Sequence, residues 1–141
     1  MFAFITGATS GIGLATAKAL AQKGYDLAIA ARNESKLEEV KAEIKTEYPA
    51  KVETYVLDVR DGEAIKKVTK KCLENWGAPD ILLNDAGLAR GLEPYGETLP
   101  EDIVQMIDTN IKGLFLVTRA FLPEMVKRNS GHIVNMGSTA G

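Results

Sequence analysis

The chain has 141 residues, 45% of them hydrophobic, enough to bury one sizeable core, and a single domain spanning residues 1–141 is expected. Its 17 basic and 19 acidic side chains leave a formal charge of −2, and no basic stripe stands out, which argues against nucleic acid as a partner. No stretch resembles a signal peptide and no apolar run approaches the ~20 residues needed to span a bilayer, so no membrane partner and a cytoplasmic location are expected.

Phe2-Ala3-Phe4-Ile5 has the composition of a buried strand. It runs into Thr6-Gly7-Ala8-Thr9-Ser10-Gly11-Ile12-Gly13, with three glycines spaced G-x-x-x-G-x-G, and then into an alanine-rich stretch where Ile12, Ala15, Ala19 and Leu20 recur at helical spacing. A strand, a glycine turn and a helix in this order form the setting that a pyrophosphate cradle requires. Gly7 permits the sharp exit from the strand, Gly11 lets a phosphate approach the backbone, and Gly13 with Ala17 lets the helix pack closely. Ala8, Thr9, Ser10 and Ile12 complete the candidate cradle, where the free N–H groups and dipole of the helix start favour an anion.

After Gly24 stops that helix, Asp26 to Ala31 reads as a second buried strand, followed by Arg32. Asn33 caps a charged helix from Glu34 to about Glu47, with Leu37, Val40 and Ile44 as its inward stripe. Val52 to Leu57 is a third strand, and Asp61 caps a helix running to Trp76, where Gly77-Ala78-Pro79 ends it. Cys72, the one cysteine, shares that helix's pattern with Ile65, Val68 and Trp76 and reads as a small core residue. Ile81-Leu82-Leu83 is a fourth strand, wholly apolar as a central parallel strand should be, and Asn84-Asp85-Ala86-Gly87 opens a loop at its carboxyl end.

Thr98-Leu99-Pro100-Glu101 has capping-box spacing before a helical segment carrying Ile103, Met106 and Ile107. From Ile111 to Met125 the apolar positions extend around most of a helix, which is either core on nearly every side or a subunit interface; a homo-oligomer is expected. Ile133 to Met136 is a fifth strand, preceded by His132, which reads as an ordinary surface histidine. Strands alternating with helices predict an α/β, Rossmann-type doubly wound parallel sheet of five strands, with ligands beyond the carboxyl ends where strand order reverses.

The end of the second strand bears on cofactor choice. A fold of this type that takes NAD places a carboxylate about 20 residues past the glycines to accept from the ribose 2′-OH. Here the strand ends Ala30-Ala31-Arg32; no acid is in place to repel a 2′-phosphate and a guanidinium can grip one, which favours NADP.

Together, Thr6-Gly7-x-x-x-Gly11-Ile12-Gly13, Asp58-Val59, Asn84-x-Ala86-Gly87, Asn110 and Ile133-Val134-Asn135-x-x-Ser138 resemble the short-chain dehydrogenase/reductase family over the whole chain. Within it, Gly87-Leu88-Ala89, Met106 to Asn110, Leu122 to Val126 and Gly131 to Gly141 resemble NADP-dependent 3-hydroxy acid dehydrogenases, which act on serine and allo-threonine. The resemblance implies that Asp58 accepts from the adenine amino group with Val59 near the ring, and that Asn84 ties strands together. Ala86 and Gly87 would lie against the cofactor, and Arg32 with Asn33 beside its ribose. It implies further that Ser138 orients a substrate carbonyl and that Asn110 holds a proton-relaying water. Asp85 departs from the family's second asparagine, so a side-chain donor is lost there.

The family's proton donor lies in Y-x-x-x-K about a dozen residues after the serine, and these 141 residues lack it. Four residues after Tyr25, Tyr48, Tyr55 and Tyr95 come Ile29, Val52, Val59 and Leu99. The expectation is that the gene continues past Gly141 and supplies the motif, making an oxidoreductase that acts on a small hydroxy acid, alcohol or carbonyl. The alternative is a dinucleotide-binding module without catalysis.

Overall fold

Five short runs of the chain pair as one parallel sheet in the order β3-β2-β1-β4-β5. The strands are β1 (Phe2–Thr6), β2 (Asp26–Ala31), β3 (Val52–Val56), β4 (Ile81–Asn84) and β5 (His132–Asn135). The structure is a computed structural model and describes residues 1–90 and 93–138. Residues 2–5 of β1 are all buried because both faces of this central strand are covered. Ala3 and Ile5, with Leu27, Ile29 and Leu83 of its neighbours, face α1 (Gly11–Gln22) and α2 (Glu34–Glu47). Phe2 and Phe4, with Ala28, Ala30 and Leu82, face α3 (Gly62–Trp76) and α5 (Leu114–Arg128). Phe4 and Phe121 of α5 lie 4.5 Å apart between ring centroids.

The doubly wound parallel sheet is as expected, and α2 follows its predicted bounds and stripe: Leu37, Val40 and Ile44 are its buried residues, and Asn33 Oδ1 accepts from Lys36 N at 3.0 Å. Asp61 Oδ1 likewise accepts from Glu63 N and Ala64 N at the start of α3. Cys72 is fully buried, and burial pushes its thiol up to about 12, so it serves the core as an inert side chain.

Four expectations are corrected. The buried face of α1 is Gly13, Ala17 and Ala21, while Ile12 is 57% exposed and Ala15 and Ala19 are also exposed. The helix lies so near the sheet that only its smallest side chains fit beneath it. The capping box at Thr98 does not form: α4 (Pro100–Ile107) takes Leu99 as its N-cap with no side-chain hydrogen bond, and Pro100, which lacks an N–H, occupies its first turn. The fifth strand begins one residue earlier than expected, at His132.

The fourth correction concerns α5. It is not buried on nearly every side: Val117, Phe121 and Met125 form its buried stripe, whereas Phe115 and Val126 are each 66% exposed. With Val104 and Ile107 of α4, Ile111 and Leu122, these residues make an exposed apolar stripe along both helices. Between the two helices, Asp108–Gly113 adopts a π turn. Gly113 is why the turn can sit where it does, since a Cβ there would lie 2.7 Å from Val59 Cγ2 and 2.8 Å from the Val59 carbonyl oxygen. The wider turn carries Asn110 and Thr109 toward the carboxyl edge of the sheet.

Candidate functional site

Strand order reverses between β1 and β4, and the loops leaving both strands border one cavity of about 1010 Å³. Gly7, at φ +70°, turns the chain out of β1, and a Cβ on it would stand 2.8 Å from Ala86 N and from Asp85 C and O. Gly11, at φ +53°, has nothing within 4 Å of its Cβ position and lines the cavity with Thr9, Ser10 and Ile12. Gly13 meets the Gly7 carbonyl: a Cβ there would lie 2.5 Å from that oxygen and 2.6 Å from Asp85 Oδ2. Ala8 is fully buried behind the loop. Gly7 thus makes the sharp exit from β1 and Gly13 the close approach of α1, and Gly7 also lets the loop after β4 close in.

Thr6 holds that closure. Its hydroxyl accepts from the backbone N–H of Asp85 and Ala86, each at 3.1 Å, and donates to the Leu83 carbonyl at 3.4 Å. The sequence reading quoted Thr6 with the glycines but gave it no task; a threonine ending a strand just before a glycine turn is the available signal.

At the other end, Arg32, Asn33, Glu34, Ser35 and Lys36 line the cavity where β2 gives way to α2. Asp58 and Val59 border the same end. Asp58 is gripped by Arg60, which sequence reasoning missed: Arg60 Nε donates to Oδ1 at 3.0 Å and to Oδ2 at 3.1 Å, and Nη2 to Oδ2 at 2.5 Å. The Arg60 backbone N–H also donates to Oδ1 at 3.0 Å, a local two-residue turn typical of aspartate. Arg60's side-chain bonds foremost hold the Asp58 carboxyl below the usual carboxylate range.

Asn84 ties the sheet as expected, with Nδ2 donating to Asn135 Oδ1 of β5 and Thr118 Oγ1 of α5, both at 2.9 Å. Asn110 uses its amide as a clamp: Oδ1 accepts from Leu88 N at 2.9 Å and Nδ2 donates to the Leu88 carbonyl at 2.7 Å. Gly87 passes close beneath, its Cβ position 3.3 Å from Asn110 Oδ1. Ala86, Gly87 and Leu88 are thereby held on the cavity wall. Thr109, only 8% exposed, lines the same cavity, and its hydroxyl oxygen is buried with no hydrogen-bond partner. Such an orphan is costly unless a bound group meets it.

Ser138 follows β5 by three residues and is exposed; it is not among the described residues lining the cavity. Thr139, Ala140 and Gly141, quoted with it in the family pattern, lie outside the described residues. His132 is exposed at the start of β5, away from the cavity lining.

A loop of exposed backbone at a helix start with an open glycine, Arg32 and Lys36 at the far end of the same cavity and an orphaned hydroxyl form a site that fits a dinucleotide. The family model for short chain dehydrogenase matches residues 1–141, and the chain belongs to that family. Among individual relatives, it is 44% identical over 142 residues to the NADP-dependent 3-hydroxy acid dehydrogenase YdfG of Escherichia coli K12, an alignment covering 100% of this chain and 55% of that protein. It is similar to the closed form of a serine dehydrogenase complexed with NADP+, with a TM-score of 0.90 and 42% identity over 100% of this chain and 55% of that one. A metagenomic short-chain oxidoreductase in complex with NADP superposes with a TM-score of 0.93 at 33% identity, covering 98% of this chain and 62% of that one. The chain therefore spans about 55% of the length of the curated relative it matches.

Proposed function

We propose that residues 1–141 are the NADP-binding Rossmann-fold domain of an oxidoreductase that moves a hydride between NADP(H) and a small hydroxy acid, alcohol or carbonyl. The observation that carries the reading is the pair of basic side chains at one end of the cavity: Arg32 and Lys36 line it on either side of Glu34, and alanine occupies position 31, where a ribose-binding carboxylate would stand. The names of relatives, an NADP-dependent 3-hydroxy acid dehydrogenase and an NADP-complexed serine dehydrogenase, support the same cofactor and substrate class.

In this reading NADP, when bound, supplies the hydride chemistry of its nicotinamide, and the chain supplies position and charge. The turn from Gly7 to Gly13 binds the pyrophosphate through backbone N–H groups, aided by the α1 dipole. Arg32 grips the 2′-phosphate bidentately, with Lys36 and the capped start of α2 beside it. Asp58, held still by Arg60, accepts from the adenine amino group, and Val59 and Thr109 border the ring. Asn84 fixes the spacing of β4 and β5, and Asn110 fixes Leu88, keeping the remaining hydrogen and lone pair of its amide for a water. Ser138 donates to the substrate oxygen as it gains charge. Proton transfer would need a tyrosine with a nearby lysine, a pair that these 141 residues do not hold at the family's spacing. The exposed stripe on α4 and α5 supports a homo-oligomer.

Arg32→Ala tests the cofactor assignment. A hydrogen bond to a charged group contributes about 1.5 to 3 kcal/mol, so the variant is expected to bind NADP(H) about tenfold or more weakly, with NAD(H) affinity unchanged. Isothermal titration with both cofactors gives the result. An equal loss for the two would assign Arg32 to general support of the loop and remove the reading of a 2′-phosphate site.

A further inference from the structure

The loop after β4 places a carboxylate under the phosphate cradle. Asp85 lines the cavity, its backbone N–H is held by Thr6 Oγ1, and its side chain turns toward the first turn of α1. There Asp85 Oδ2 lies against the helix backbone, 2.6 Å from the point a Gly13 Cβ would occupy. The helix has no anion of its own: Ser10 makes no side-chain cap, and no acidic residue lies in the first turn. Among the described residues, no cationic side chain pairs with Asp85 within 4.0 Å.

We propose that Asp85 sets the affinity of the dinucleotide site: its carboxylate, lying against Gly13 in the first turn of α1, fixes a negative charge beside the pyrophosphate, so that cofactor binds more weakly and leaves more readily than it would over an amide. The proposal rests on the assignment of the pyrophosphate to the start of α1. Two observations favour a role in affinity over one in stability. An asparagine, equal in size, fits the same space against Gly13 without the charge. Burial foremost holds the Asp85 carboxyl above its ordinary value, so the charged form is not what the fold prefers.

Like charges about 6 to 10 Å apart at an effective dielectric of roughly 40 repel enough to change an affinity by about three- to tenfold. Asp85→Asn is therefore expected to bind NADP(H) about three- to tenfold more tightly than the wild type at low ionic strength. The advantage shrinks at high ionic strength, and the thermal midpoint is equal or higher. Asp85→Ser, which removes the charge with a smaller side chain, shifts affinity in the same direction. Titration of the three proteins with NADPH at two salt concentrations, alongside thermal melts, reads all of this. Unchanged or weaker binding by both folded variants, or a gain that salt does not reduce, overturns the proposal. Absence of NADPH binding by all three proteins instead refutes the cofactor reading beneath it.

Discussion

Replacing Gly13 by alanine is expected to lower the thermal midpoint by roughly 10 °C and to weaken dinucleotide binding by about 100-fold or more. The added Cβ would meet the Gly7 carbonyl oxygen at 2.5 Å and the Gly7 carbonyl carbon at 2.9 Å. Both are backbone atoms of the turn that leaves β1, and that turn is pinned on its far side by Asp85 and Ala86, which close against Gly7 and are held by Thr6. Nothing there can yield cheaply, so relief comes only by lifting α1 off the sheet, at about 3 kcal/mol, the upper part of the range for overpacking. The same movement separates the helix's N–H groups from the turn they share with Gly7. Melts and cofactor titrations on one preparation measure both effects. A Gly13→Ala protein with wild-type affinity would show that α1 can withdraw without cost to the cradle.

In the dehydrogenase to which we assign this chain, Ser138→Ala is expected to reduce kcat by ~10² to 10³, the usual cost of removing a donor to a developing oxyanion. Ser138 comes three residues after Asn135, whose side chain is bonded to Asn84, so the exit of β5 is registered against the loop that leaves β4. Because a bond from the Ser138 hydroxyl strengthens as negative charge develops, the loss should fall on kcat with little change in KM and none in cofactor affinity. A variant that loses cofactor affinity instead would place Ser138 in the binding loop and remove it from the chemistry.

Local chemistry made much of the fold legible. Asn33, Leu37, Val40 and Ile44 encode the cap and stripe of α2 in a single stretch, and Asp61 does the same for the start of α3. The buried face of α1 is legible only in part: the glycine spacing points to Gly13 and Ala17, but an alanine-rich helix is weakly apolar all round and only its approach to Gly7 turns Ile12, Ala15 and Ala19 outward. The π turn before α5 depends on Gly113 meeting Val59, residues 54 positions apart whose contact has no local signature. Thr98 satisfied a capping pattern, yet Pro100 moved the helix start past it.

The site divides along the same line. The glycines, Arg32, Asp58 and Asn84 announce themselves by spacing at strand ends; Gly7, Gly11, Arg32 and Asp58 line the cavity, while buried Gly13 packs against Gly7 and buried Asn84 braces the loop from behind. Thr6, Arg60 and Thr109 act through contacts the chain makes only when folded: a hydroxyl bridging two strand ends, a guanidinium turned back on its neighbour, and an orphaned oxygen in a π turn. Asn110 was legible as a site residue, but its clamp on Leu88 was not, since the two residues are 22 positions apart.

Direct titration of the wild-type protein with NADPH and NADH is the most decisive measurement. A cavity with Arg32 and Lys36 at one end and alanine at position 31 predicts saturable, one-to-one binding of both, with NADPH at least about tenfold tighter. Equal affinities, or a preference for NADH, would contradict the assignment of that end of the cavity to a 2′-phosphate.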